Sequence, residues 1–438
     1  MSRFAMRLLL AAYLALLACA PTRAGNWPQW RGPTGDGVSD ETGLPLNWSN
    51  DSGLLWKFPL DGPASSSPIV WGDAAFLTTQ EGDNLSLVKI NVKTGQAEWT
   101  QKVGSGETPR APLKAKSADE RRHQKFHALQ NLASPTPATD GEIVVVHFGN
   151  GDLAAYDYAG KQLWRHNLQD DYGIYTIWWG HANSPIIYKD LVVNVCMQDS
   201  LADLSGSPVE SYLVAFDKRT GQVKWKTARQ TKASAEECDA YTTPVVRTVG
   251  GSQQLVVMGG NQLDAYDPDT GKQLWFLSGL VGGRTVTGPT LTDGLVFATR
   301  GKKGPLVAVK PEGAGELPEK DIVWQATQDT PDASSPVALK GLLFWITDNG
   351  FAVCRDIKTG DVKWKERIPG DFKASPVAAD GRIYFLNRAG QCTVVAASDK
   401  FEKLAVNSLD GETNASPAIA GGRIYIRTSK ALYCIGTK

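Results

Sequence analysis

Eight polar residues stand just ahead of a recurring proline motif, and they have the most chemistry to offer: Asn131, His181, Asp239, Tyr241, Arg284, Asp332, Lys373 and Asn414. The motif is Ser-Pro or a close variant, at Pro68, Pro135, Pro185, Pro244, Pro289, Pro336, Pro376 and Pro417. Capping a strand at such a motif needs only Ser or Thr beside the proline. The extra mixture of cations, carboxylates, amides, a phenol and an imidazole is therefore left over for another task. Convergent polar groups at a concavity are the default binding-site expectation. The alternative is that they pair with one another and with water. A second cluster, Glu120, His123 and His127, follows Ser117-x-x-Glu120, a capping-box pattern, with Phe126, Leu129 and Leu132 at helical spacing. One face of a short cap helix would carry all three, as metal ligands could be carried. No further ligand is evident nearby, so solvated surface residues are expected and no metal site is assigned. Between Lys102 and Lys125 there are seven basic and three acidic residues, a surface that would steer an anionic partner or simply stay soluble. The chain has no G-x-S-x-G, H-E-x-x-H, P-loop or EF-hand pattern. No catalytic residue is assigned.

The elements that position these residues repeat. The shortest intervals between the prolines are Pro336 to Pro376 and Pro376 to Pro417, about 40 residues, a repeat period. Each proline is followed by an apolar stretch, a polar turn and a second apolar stretch. The unit closes with Thr-Gly, at Thr94-Gly95, Thr220-Gly221, Thr270-Gly271 and Thr359-Gly360, or with Ala159-Gly160. A tryptophan follows four residues after the glycine: Trp99, Trp164, Trp225, Trp275 and Trp364. Trp324 holds that place without Thr-Gly, and in the seventh unit Phe401 and Leu404 stand there. Glycine allows the positive φ of the corner. A flat indole at a fixed offset can wedge between neighbouring sheets. Four short antiparallel strands cannot bury both faces alone, and stacking eight such sheets radially solves that. The last unit stops after three strands at Ala431 to Ile435, while Leu54 to Phe58 is a strand with no unit before it. The N-terminal strand is expected to complete the last blade.

The segments AFDKRTGQVKW (Ala215 to Trp225) and AYDPDTGKQLW (Ala265 to Trp275) resemble the repeat of the PQQ-like, quinoprotein-type eight-bladed β-propeller family. The resemblance runs from Leu54 to the C-terminus, and WPQWRGPTGDGVS (Trp27 to Ser39) looks like the lead-in of exported propellers of environmental bacteria such as planctomycetes. It implies an all-β, eight-bladed propeller of four-stranded antiparallel blades and an extracytoplasmic location. It does not imply catalysis. Members that are dehydrogenases hold pyrroloquinoline quinone and calcium over the central funnel, beside a vicinal Cys-Cys disulfide. This chain has no Cys-Cys. Trp178-Trp179 would serve either as a stacking floor for a quinone or as aromatic packing.

The first residues read as an address. Arg3 and Arg7 precede the apolar run Leu8 to Ala18, an export signal rather than a spanning helix. Leu16-Leu17-Ala18-Cys19 resembles a lipobox, which would make Cys19 a lipidated N-terminus; Thr22-Arg23-Ala24 suits ordinary cleavage before Gly25. Residues 1–24 are thus read as signal, 25–52 as a lead-in, and 53–438 as the propeller with an insert at about 100–132. Three arginines and no acidic residue precede Gly25, so cleavage turns the balanced 46 basic and 46 acidic residues into a net charge of −3. A nucleic-acid binder would show a basic excess. Of the five cysteines left, Cys354 and Cys434 occupy positions where other units have alanine, and Cys196 with Cys238 is the one pairing to consider.

The sequence reading is a non-catalytic binding or scaffold module of the periplasm or outer membrane, monomeric, with an envelope protein or small molecule as partner. In size and possible lipobox it resembles BamB-type outer-membrane assembly lipoproteins. The alternatives are a quinone-dependent oxidoreductase and an extracellular ligand or glycan binder.

Overall fold

The computed structural model describes residues 25–62, 65–106, 130–177, 180–199, 209–302 and 304–437. Among them lie eight antiparallel sheets of four strands each, one carrying a fifth strand, arranged as an eight-bladed propeller. Blade one runs outward through Ile69–Trp71, Ala74–Glu81, Asn84–Asn91 and Ala97–Ser105. The middle strands, such as Ile143–His147 and Leu342–Ile346, are buried at every position. Neighbouring blades cover both their faces, so their sequences read as continuous apolar runs rather than alternating ones. Outer strands such as Val362–Arg367 bury only the tryptophan.

Ring closure follows the expected plan. Leu54–Pro59 pairs antiparallel with Ala431–Ile435 and supplies the outer strand of blade eight. Trp56 faces Cys434 there, as Trp164 faces Ala155 and Trp225 faces Ala215. Trp56 is therefore the tryptophan of blade eight. In blade seven the register differs from expectation. Ala405 sits opposite Val394, and Leu404 falls in the irregularity that precedes it. Phe401 instead packs edge-on against Trp364 of blade six. Blade two also departs. Its inner strand, Ala138–Thr139, follows Thr136-Pro137, so Pro137 and not Pro135 aligns with Pro68.

The tryptophans join consecutive blades. Trp56, Trp99, Trp164, Trp225, Trp324 and Trp364 donate their indole N–H to Val92, Tyr158, Lys218, Pro268, Ile357 and Ser398 carbonyls of the following blade, at 2.7–3.1 Å. The turn beneath each indole is shaped for it. Asp217 accepts the amides of Arg219 and Thr220, and Gly221 takes φ +72°. A Cβ on Gly221 would fall 2.7 Å from Trp164. Trp275 is the exception, because blade five replaces the tight turn with a longer loop. That loop lays Gly315–Glu316 in parallel along Trp275–Phe276, and Trp275 bonds to Gln254 of its own blade.

The lead-in does more than precede the ring. It runs along the inner strands inside the channel. Trp27 exchanges both backbone bonds with Val70 of blade one, Pro28 accepts Thr139 N–H of blade two, and Val38 bridges Ala378 of blade seven. Between these, buried Arg31 reaches Thr290 of blade five and the Pro336 carbonyl of blade six. Further on, Glu41 accepts the amides of Gly421 and Gly422, and Trp48 packs against Tyr384. This segment plugs the channel.

Candidate functional site

Above the plug the inner strands begin, and the residue before the proline that leads into each inner strand is Ser67, Thr136, Ser184, Thr243, Gly288, Ser335, Ser375 or Ser416. Their backbones and side chains form a nearly closed circle of hydrogen bonds. Ser67 N–H donates to Thr136 Oγ1, Thr136 N–H to Ser184 Oγ, and Ser184 N–H to Thr243 Oγ1. Beyond the gap, Gly288 N–H donates to Ser335 Oγ, Ser335 N–H to Ser375 Oγ, Ser375 N–H to Ser416 Oγ, and Ser416 N–H back to Ser67 Oγ. All seven distances lie between 2.9 and 3.2 Å. The gap is at Gly288, where a Cβ would lie 3.0 Å from the Trp30 ring. The plug's tryptophan takes that place.

The circle surrounds a cavity of about 370 Å³ with Trp30 at its floor. Of the eight residues read from sequence, Tyr241, Arg284, Asp332, Lys373 and Asn414 line it. Its charged groups face each other. Arg284 lies 3.6 Å from Asp332 and 3.9 Å from Glu236, and Lys373 pairs with Asp348. Burial raises the Asp332 carboxyl above the usual range, opposed by the Arg284 charge.

The other three do not line the cavity. His181 is fully buried; Tyr175 lies against its ring at 3.8 Å, Asn183 Oδ1 sits 3.1 Å from Nδ1, and Cys196 Sγ lies 3.4 Å from Nε2. Burial, then the neighbouring His147, pushes its pKa down to about 3. It belongs to the seam between blades, where Asn183 also donates to the Ala240 and Thr242 carbonyls. Asp239 is buried where its carbonyl accepts Thr285 N–H. Asn131 is buried behind Ser65 and donates to it. The cysteine pair is not formed: Cys196 and Cys238 are both buried and neither is in a disulfide, with Cys196 committed to His181. Cys19, Trp178-Trp179 and the Glu120, His123, His127 cluster lie outside the described residues.

Sequence reasoning missed the Ser and Thr residues of the circle because it assigned them only to capping. It missed Trp30 because nothing in Trp27-Pro28-Gln29-Trp30 says that the lead-in returns through the channel. Asp348, lining the cavity with Lys373, is the other omission.

Among the described residues, the cavity lining does not match the quinone and its calcium. The cations that would meet a multiply charged anionic cofactor already face Asp332 and Asp348. Among the described residues no three His, Cys, Asp or Glu side chains are placed to hold a metal ion. No helix of the described residues is long and apolar enough to cross a membrane.

The chain is 25% identical over 214 residues to the outer membrane protein assembly factor BamB of Burkholderia pseudomallei, covering 49% of this chain and 42% of that protein. The match thus spans less than half of that relative's length. The BamB structure from Moraxella catarrhalis superposes with a TM-score of 0.57 at 14% identity, over 87% of this chain and 99% of that one. The quinohemoprotein alcohol dehydrogenase of Comamonas testosteroni gives 0.67 at 13% identity, over 94% of this chain and 81% of that one. At these identities both structures speak for the fold alone. The family model described as "Outer membrane protein assembly factor BamB" matches residues 38–202, 209–314 and 313–431, nearly the whole ring, and the chain belongs to that family.

Proposed function

We propose that this chain is a non-catalytic propeller of the cell envelope that binds and holds a protein partner, of the outer-membrane assembly kind that its relatives' names describe. The observation that supports this reading over an enzyme is the state of the funnel. Among the described residues, Arg284, Asp332, Asp348 and Lys373 are its charged lining, each faces an opposite charge, and no lining residue is a histidine or cysteine. A general acid or base needs a titratable group free to reach substrate. The chain would be exported, with either lipidated Cys19 or Gly25 as its mature N-terminus, which mass spectrometry of the processed protein distinguishes.

The test is made in an exporting host with two membranes. A photo-cross-linking amino acid is placed at Glu412, exposed beside Asn414. The expected result is an adduct with an outer-membrane assembly protein in the envelope fraction. Alcohol-dependent dye reduction by the purified chain on addition of pyrroloquinoline quinone and calcium overturns the reading, as does an intact Met1.

A further inference from the structure

The circle of hydroxyls does not use all of its hydrogen-bonding capacity. Ser67, Thr136, Ser184, Thr243, Ser375 and Ser416 all line the cavity, and each accepts a backbone N–H from the blade before it. A hydroxyl also carries one proton to donate. Among the described residues, none of these six protons is given to a protein acceptor. The cavity is therefore ringed by O–H donors whose orientation is set by the accepted bond.

Asn414 and Asp332 add an amide and a carboxylate to the lining. The cavity thus asks a ligand for hydrogen-bond acceptors. Its ion pairs leave no net charge for a ligand to balance. Its floor is the half-buried indole of Trp30, with the Arg31 guanidinium 5.6 Å from the ring centroid. An indole gives a flat apolar face next to polar groups. The volume lies in the range of small-molecule sites.

We propose that the funnel binds a neutral saccharide, a mono- or disaccharide unit whose ring lies on Trp30 while its hydroxyl and ether oxygens bond to the serine and threonine circle. Vicinal hydroxyls supply donors and acceptors together, and a pyranose presents C–H faces to the indole. An anion would have to displace Asp332 and Asp348 from the two cations. A peptide side chain would leave most of the six donors unmet. This site is independent of the partner-holding role: it sits inside the ring, whatever binds outside.

The experiment uses the processed full chain with glucose, N-acetylglucosamine, cellobiose and maltose as probes, and glucuronate and glucose 6-phosphate as charged comparators. Saturation-transfer NMR detects binding and calorimetry gives its strength. At least one neutral sugar is expected to bind, with both charged sugars roughly tenfold weaker or more. Trp30→Ala should abolish the signal and Trp30→Phe retain it. Ser184→Ala and Ser416→Ala should each weaken binding by roughly threefold to tenfold, the loss of one hydrogen bond. These two serine variants leave the plug in place, so they decide the matter if Trp30→Ala fails to fold. No transfer to any neutral sugar, preference for the charged sugars, or full affinity in both serine variants overturns the proposal.

Discussion

His147 and His181 have no route to water, and that gives the fold a characteristic response to acid. Burial is the main cause in both, holding them neutral with pKa values of about 4 and about 3, below the usual 6.5. The folded chain therefore binds fewer protons than the unfolded one between these values. The stability this confers is complete above about pH 6.5 and is lost as the pH falls through the folded values. Melting measured from pH 7.5 to 4.5 should show a falling transition temperature already below pH 6.5. A His147→Gln, His181→Gln double variant should flatten that slope. The lowered carboxylates act later: Asp217, whose desolvation is outweighed by the Thr220 amide, the Lys224 ammonium and the Arg219 amide together, lies at about 2. Arg229 and Asp264 form a different kind of buried contact. Both are almost fully enclosed and bonded to each other, with Arg229 also donating to the Gly259 and Gln262 carbonyls. Asp264→Ala should cost about 3–5 kcal/mol in denaturant unfolding, since it strands a buried cation. Neither network was legible in the sequence. His181 read as a ligand-facing residue because, like Tyr241 and Arg284, it stands in the short segment leading into a Pro motif. What sends it inward is Tyr175 and Cys196, contacts that only folding brings together.

The tryptophan and the turn glycine of the next blade form one device. The indole fills the space a Cβ would occupy and bonds to a carbonyl beside it. Trp164→Ala should destabilise the chain by about 3 kcal/mol or more, whereas Trp164→Phe keeps much of the packing and loses mainly the hydrogen bond, about 1 kcal/mol. Gly221→Ala should cost about 1–3 kcal/mol, because it meets Trp164 at 2.7 Å and must hold φ at +72°. Chemical denaturation of the three variants checks the order. The device was legible in part because each unit sets a tryptophan, a rare type, four residues after a glycine. Its failures were not. The blade-seven register turns on a single irregularity at Leu404, and blade two offers Pro135 and Pro137 two residues apart, which keeps the same alternation. Strand periodicity cannot separate readings two residues apart.

The closed ring and the plug make separable contributions to the whole. Removing residues 25–60 takes away both and leaves Ala431–Ile435 as an unpaired edge, which should lower the melting temperature and promote self-association. Removing residues 25–50 keeps the closing strand but opens the channel; it should lower the melting temperature less and leave the chain monomeric. Calorimetry with size-exclusion chromatography distinguishes the two. Equal melting of the 25–60 deletion and the full chain would contradict the closure. The eight-fold architecture was legible because each blade restates it, whereas the plug occurs once and has no second copy to betray its path. Its position also sets an order in time. Val38 awaits Ala378 and Leu54 awaits Ile435, so these stretches find their places only after the later blades have formed. Contacts so distant along the chain form slowly. For that interval the segment from Val38 to Pro59 is an adhesive, uncommitted strand, and the folding chain depends on whatever keeps it single until the eighth blade arrives.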